Sequence, residues 1–211
     1  MQKQIDVRIE RASWPLPPDP FSHPVPPGFV GLPPAISFNF RLALLHLGII
    51  TTPIDSPEAS LSAYWAHIRY LTAPEPSMQS LALSLPWSRI DPHQKTILSD
   101  DWGMGICTYW LQATLGLTSL CDGYYFMNRL KGRRVARYQS RRTRLGPSKS
   151  PDFVALDGQG LFHIIECKGT QSGVKYLERQ IGDGVAQKRS LIFTPENLVA
   201  QRLVAGLHIG T

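Results

Sequence analysis

The chain has 211 residues, 43% of them hydrophobic and 18% charged, a globular balance that excludes disordered, collagen-like and fibrous classes. Its longest apolar run, "LALLHLGII", is broken by His46 and too short to span a bilayer, and the opening "MQKQIDVRIER" lacks the apolar centre of a signal peptide. A cytoplasmic protein with no membrane partner is expected. The net charge of +6 is modest, and the three cysteines, Cys107, Cys121 and Cys167, include no C-x-x-C pair, so they read as reduced structural thiols rather than zinc or redox groups.

In chain order, residues 14–34, "WPLPPDPFSHPVPPGFVGLPP", carry too many prolines for a helix or a central strand, because each removes a donor and fixes φ. Trp14, Phe21 and Phe29 suggest an arm laid over a surface. "FNFRLALLHLGII" and "SPEASLSAYWAHIRYLT" have helical spacing, the second with start signals at Ser56, Pro57 and Glu58. "APEPSMQSLALSLPWSRIDP" reads as loop with at most one short strand. The spacing thus predicts a Pro-rich, partly helical N-terminal region over 1–91 and a second domain over 92–211. That domain opens with a helix in "SDDWGMGICTYWLQATLG", N-capped by Ser99, closed by Gly116, and with Ile106, Tyr109, Trp110 and Ala113 facing the core. "YYFMNRL" and "RRVARYQS" read as strands, "DFVALDGQGLFHIIECKG" as a hairpin, "SGVKYLERQIGDGVAQKRSL" as a helix and "RLVAGLHIG" as a last strand. With Thr211 directly after it, that strand reads as an uncovered edge, which favours a homodimer or larger assembly, a further domain, or a chain cut short.

The basic excess lies in one place. Between Asp122 and Asp152 there is no acidic residue, yet nine of the 22 basic ones fall there: Arg129, Lys131, Arg133, Arg134, Arg137, Arg141, Arg142, Arg144 and Lys149. The other 13 are outnumbered by 16 acidic residues. Clustered arginines are the footprint of a phosphate backbone, although such a block is also commonly a solvated face. Tyr124, Tyr125, Phe126 and Tyr138 interleave with it and could stack on bases, packing being the simpler reading.

The chemistry concentrates in the hairpin. On a strand, Phe162, Ile164, Glu166 and Lys168 share one face and Leu161, His163, Ile165 and Cys167 the other. A two-residue turn at Gly158 and Gln159 pairs Asp152 with Ile165, whereas a three-residue loop over 158–160 pairs it with Glu166. Asp157 suits the first position of a type I turn and Gly160 the left-handed position of that longer loop, so the three-residue form is expected. Asp152, Glu166 and Lys168 then converge. Two carboxylates beside an amine suit a magnesium ion with a backbone carbonyl and a substrate phosphate, and the amine can orient the attacking water.

Pro151 and Asp152, followed by "ECK" at 166–168 after a hydrophobic run, resemble the PD-(D/E)XK motif of the restriction-endonuclease-like nuclease superfamily. The resemblance covers roughly residues 91–210. It implies an α/β (α+β) restriction-endonuclease-like core, a central mixed sheet flanked by helices. It also implies magnesium, or manganese in its place, held by Asp152, Glu166 and the carbonyl of Cys167, with Lys168 positioning the water. Relatives of this kind carry a Gln or Lys on the following helix; Gln180 and Gln187 are two turns apart on one face, and Gln187 in "GVAQKR" is favoured. An acidic residue on the first helix would be Asp100 or Asp101. The expected function is a metal-dependent nuclease, most readily a DNA endonuclease. A ribonuclease or a catalytically silent nucleic-acid- or partner-binding module are the alternatives, and by analogy a phage-defence or restriction effector is the setting.

Overall fold

A computed structural model describes residues 1–9, 21–53, 55–130, 134–139 and 150–211. The N-terminal part begins with a two-stranded antiparallel ladder, β1 (Gln2–Asp6) against β2 (Ala35–Asn39). The buried Lys3 ammonium donates to the carbonyls of Glu75 and Met78, tying the following loop to this ladder. The Asn39 side chain accepts the Arg41 and Leu42 N–H groups and starts α1 (Phe40–Thr51). The second helical stretch divides into α2 (Ala59–Ser62) and α3 (Trp65–Tyr70), and its start falls after Glu58, which adopts a left-handed conformation, rather than at Ser56. A short α4 (Leu85–Ser88) follows.

The long helix α5 (Pro92–Leu115) begins two turns earlier than the sequence suggests. Asp91, not Ser99, is its N-cap: the Asp91 carboxylate accepts the His93 and Gln94 N–H groups, and Pro92 occupies the first turn, where a missing donor costs nothing. Ser99 is an interior residue whose hydroxyl donates to the Lys95 carbonyl. The helix ends, as expected, at Gly116 with φ of 64°. Its buried residues include Leu98, Trp102, Ile106, Cys107 and Leu111, so Ile106 is core as expected while Tyr109 and Trp110 are half-buried and Ala113 is exposed.

Four strands form the central sheet in the order β3 (Leu117–Asp122), β5 (Phe153–Asp157), β6 (Phe162–Thr170), β8 (Val199–His208). The first three are antiparallel neighbours, and β8 runs parallel to β6 after the crossover helix α7 (Val174–Lys188). The protein is therefore mixed α/β, with a mixed central sheet flanked by helices. "YYFMNRL" is not a strand: Asp122 accepts the Tyr125 N–H and nucleates α6 (Gly123–Asn128), and this cap outweighs the β-preference of the aromatic run. Among the described residues, the stretch expected as a second strand contributes β4 (Ala136–Tyr138), paired with β7 (Leu191–Phe193).

Alternation along β6 and β8 sends two faces into two cores. One face packs on α5 and the N-terminal helices, where Phe40 meets Trp102 edge to face at 5.0 Å and Tyr70 joins them. Such ring pairs contribute about 0.5–1.5 kcal/mol beyond their burial. Residues on both sides of Pro92 share this core. The other face packs Val154 and Ile164 against Phe126, Leu191 and Phe193. The proline arm lies on both: Phe29 stacks on Trp110 at 5.5 Å and the Phe21 ring sits 4.9 Å from the Arg202 guanidinium, while Trp14 lies outside the described residues. β8 is the sheet's edge, but its far end is covered, because Gly210 exchanges backbone hydrogen bonds with Leu81 and Leu83.

Candidate active site

The turn joining β5 to β6 sets the site's register. Asp157 N–H donates to the Leu161 carbonyl and Gly160 N–H to the Asp157 carbonyl, enclosing a three-residue loop over 158–160 with Gly160 at φ of 80°. The Asp157 carboxylate accepts the Gln159 and Leu161 N–H groups and lies 3.0 Å from His163 Nε2, so a single side chain holds the turn. Phe153 pairs with Ile165 and Val154 with Ile164, which puts Asp152 opposite Glu166.

Three hydrogen bonds bring the expected triad together. Asp152 N–H donates to Glu166 Oε2 at 3.3 Å, Cys167 N–H donates to Asp152 Oδ2 at 2.8 Å, and Lys168 Nζ donates to Glu166 Oε1 at 2.5 Å. Glu166 is fully buried. Burial first, and then repulsion from Asp152, push its carboxyl up to about 7 against the opposing pull of Lys168. Burial raises Asp152 as well, opposed by the Cys167 N–H and the Lys168 charge. Both carboxylates thus lack sufficient positive charge.

Helix α5 reaches the same point from the opposite face of the sheet. It touches β6 backbone to backbone: a Cβ on Gly103 would stand 2.7 Å from the Gly169 nitrogen, and one on Gly169 only 1.8 Å from the Ser99 carbonyl oxygen. Gln171 fastens the crossing by donating to Lys95 O and Ser99 Oγ. The two acidic candidates separate here. Asp101 accepts the Tyr70 hydroxyl at 2.5 Å and belongs to the aromatic core, whereas Asp100 lies within the field of Lys168 and Asp152. Burial raises the Asp100 carboxyl and Lys168 opposes that rise.

On the triad's own face, α7 crosses with Leu177 and Ile181 beside Gly206, and with Gly184 against Val204 and the Glu166 side chain. Gly206 is the β8 partner of Lys168 and Val204 that of Glu166, so residues 177–184 lie level with the triad. Gln180 falls in that span, and its Oε1 is buried without a hydrogen-bond partner among the described residues. Gln187, the favoured glutamine, lies a turn further on, next to Lys188, whose ammonium donates to the Arg202 carbonyl at 2.8 Å. Gln180 and Gln187 thus flank Gly184 on one side of the helix, four residues before it and three after it.

The site also adjoins the start of the basic segment. Gly123 N–H donates to the Asp152 carbonyl at 3.1 Å, so α6 starts against the triad. Arg129, Arg134 and Arg137 are exposed, while Lys131, Arg133, Arg141, Arg142 and Arg144 lie outside the described residues. Cys167 has its side chain buried on the α5 face. Its N–H points to Asp152, and in an extended strand the carbonyl of the same residue points the same way.

The donor set fits a hard divalent cation. Among the described residues no three His, Cys, Asp or Glu side chains gather as a metal cluster, but two carboxylates and one carbonyl suit magnesium, which keeps several waters. Asp152 Oδ1 makes no hydrogen bond among the described residues, and a cation beside it would relieve the repulsion that raises both carboxyls. No helix among the described residues is long and apolar enough to cross a membrane. In comparisons with known proteins, no family model, no curated protein and no solved structure matches the chain.

Proposed function

We propose that the chain is a metal-dependent nuclease of the PD-(D/E)XK type that hydrolyses phosphodiester bonds, with DNA the favoured substrate. The single observation that carries this reading is the hydrogen-bonded triad of Asp152, Glu166 and Lys168 at the end of the hairpin, two carboxylates and one ammonium joined through side chain and backbone. Supporting it, α5 and α7 flank a mixed central sheet of three antiparallel strands and a fourth parallel to the third, in keeping with the mixed sheet flanked by helices that the resemblance implies. A bound magnesium ion would supply charge for the phosphate oxygens as the bond to phosphorus changes. Asp152, Glu166 and the Cys167 carbonyl would hold it.

The chain's own groups do the rest. Glu166 fixes the Lys168 ammonium, whose side chain is 19% exposed, so its remaining N–H groups can orient a water for in-line attack and stabilise charge on the phosphate. Exposed Arg129, Arg134 and Arg137 supply cations for the strand's phosphates. Incubation of supercoiled plasmid, linear duplex, single-stranded circular DNA and RNA with magnesium, manganese or EDTA tests the reading. Metal-dependent cleavage of DNA is expected. Absence of cleavage of every substrate with either metal would overturn it, and binding without cleavage would make the chain a silent binding module.

A further inference from the structure

The triad lies between two helices on one face of the sheet. On that face α6 packs through Phe126 and Met127 over Val154 and Ile164, and α7 packs over β6 and β8. A helix turns 3.6 residues per turn, so Leu177, Ile181, Gly184 and Lys188 form the line that α7 presents to the sheet. Its flank bearing Val174 and Glu178 borders a groove along the free edge of β8. The opposite flank, which carries Tyr176 and Gln180, therefore overlooks β6 and the triad. Across from it, Tyr124 is the residue after Gly123, whose N–H is bonded to Asp152.

Both tyrosines are open to solvent, Tyr124 66% exposed and Tyr176 47%. Neither ring nor hydroxyl has a partner among the described residues. The contrast within α6 is direct: Phe126, two residues on, is packed against Phe162 at 5.5 Å and against Phe193. Packing does not account for Tyr124 and Tyr176. Exposed basic residues neighbour each in the chain, Arg129 five residues after Tyr124, and Lys175 and Arg179 one before and three after Tyr176. Aromatic planes interleaved with cations along a groove are how single strands are held, because every base has a stacking face and every linkage a charge.

We propose, resting on the nuclease reading, that Tyr124 and Tyr176 are stacking platforms on either side of the triad and that the preferred substrate is an unpaired polynucleotide strand. Bases flanking the scissile phosphate stack on the two rings, which a closed duplex cannot offer them. The two tyrosines are positioning residues: they fix the strand's register over Lys168 and touch no reacting atom.

The test is binding by the full chain in EDTA, where cutting cannot intervene. The probes are single-stranded DNA and RNA oligonucleotides containing 2-aminopurine and a blunt duplex of the same length. Single strands should bind more tightly than the duplex, with quenched 2-aminopurine fluorescence. Tyr124→Ala and Tyr176→Ala should each weaken single-strand binding about tenfold and relieve the quenching, while Tyr→Phe and Tyr→Trp should retain both. Duplex affinity should stay unchanged in all variants. Equal affinity for single strand and duplex, or alanine variants that bind and quench like the parent, would overturn the proposal. If the parent chain cuts duplex DNA with magnesium while the alanine variants bind normally, this inference falls and the nuclease stands. If stacking is seen but no substrate is cut with magnesium or manganese, the nuclease reading falls and the platforms remain.

Discussion

Two cation–carboxylate pairs sit on the same face of the central sheet, Arg202 with Glu196 and Lys168 with Glu166, and they are buried in opposite senses. Arg202 is the dry member of its pair, with 0% of its side chain exposed against 39% for Glu196; in the other pair Glu166 is the dry member at 0% and Lys168 is 19% exposed. The Arg202 guanidinium also donates to the carbonyls of Lys188 and Leu191 and lies over Phe21, which ties α7, β7 and the proline arm to the start of β8. This planar group spreads its hydrogen bonds over three acceptors, two carbonyls and a carboxylate. Glu166 is a group that can titrate, and it faces a second carboxylate. One pair fastens the fold, and the other leaves negative charge only partly balanced.

The sharpest way to break this contrast is to delete each pair in turn. Asp152→Ala and Lys168→Ala should each lower the cleavage rate by a factor of about a thousand or more, roughly 4 kcal/mol, while thermal unfolding shows the fold retained. Cutting at the parent rate by both variants would remove the triad from the chemistry. Arg202→Ala should do the reverse, costing about 1–3 kcal/mol in urea unfolding for each buried carbonyl, of Lys188 and of Leu191, that loses its donor. A cost below about 1 kcal/mol, within the range of an exposed pair, would erase the distinction between the two.

A pH series sharpens it further. Because Glu166 is raised from 4.5 to about 7 in the folded chain, the native state holds a proton that the unfolded state has released across that window. Stability in EDTA should therefore be highest below about 4.5, as far as Glu166 contributes, and should decline as pH rises through about 7. Glu166→Gln should flatten that decline, and added magnesium should reduce it in the parent. A slope identical in parent and variant would show that Glu166 does not titrate there. The smallest effect belongs to the basic segment: replacing Arg129, Arg134 and Arg137 by Ala should lower the slope of log affinity against log salt by about 0.9 for each phosphate that is no longer neutralised. An unchanged slope would make these arginines a solvated face.

What was legible in the residues was what local chemistry dictates. Asp157 and Gly160 specify the three-residue loop, and the loop specifies the register that sets Asp152 against Glu166. The last turn of α5 is equally local, because Gly116 can take the left-handed conformation cheaply. Its start was obscured by two competing caps: Ser99, Asp100 and Asp101 imitate a helix start, while Asp91 and Pro92 are the real one. β1 and β2 were unreadable because their pairing joins segments far apart in the chain, which no turn between them announces. "YYFMNRL" misled because an aromatic run prefers strands on average, and only the Asp122 cap decides otherwise. Between Gln180 and Gln187 the helical period does not choose, because both lie one turn from Gly184, the point where the helix meets Glu166.

The glycine crossing of α5 and β6 makes the separation between Asp100 and Lys168 a matter of two absent methyl groups. With backbone against backbone there is no side chain to compress, so the helix behaves as a rigid gauge block resting on the strand. An alanine at Gly103 or Gly169 must lift the block. The lift would displace Asp100 relative to the triad without altering any of the three residues on the triad's own face. Fine adjustment of this cluster is thus available from behind the sheet, through positions on the face opposite the triad.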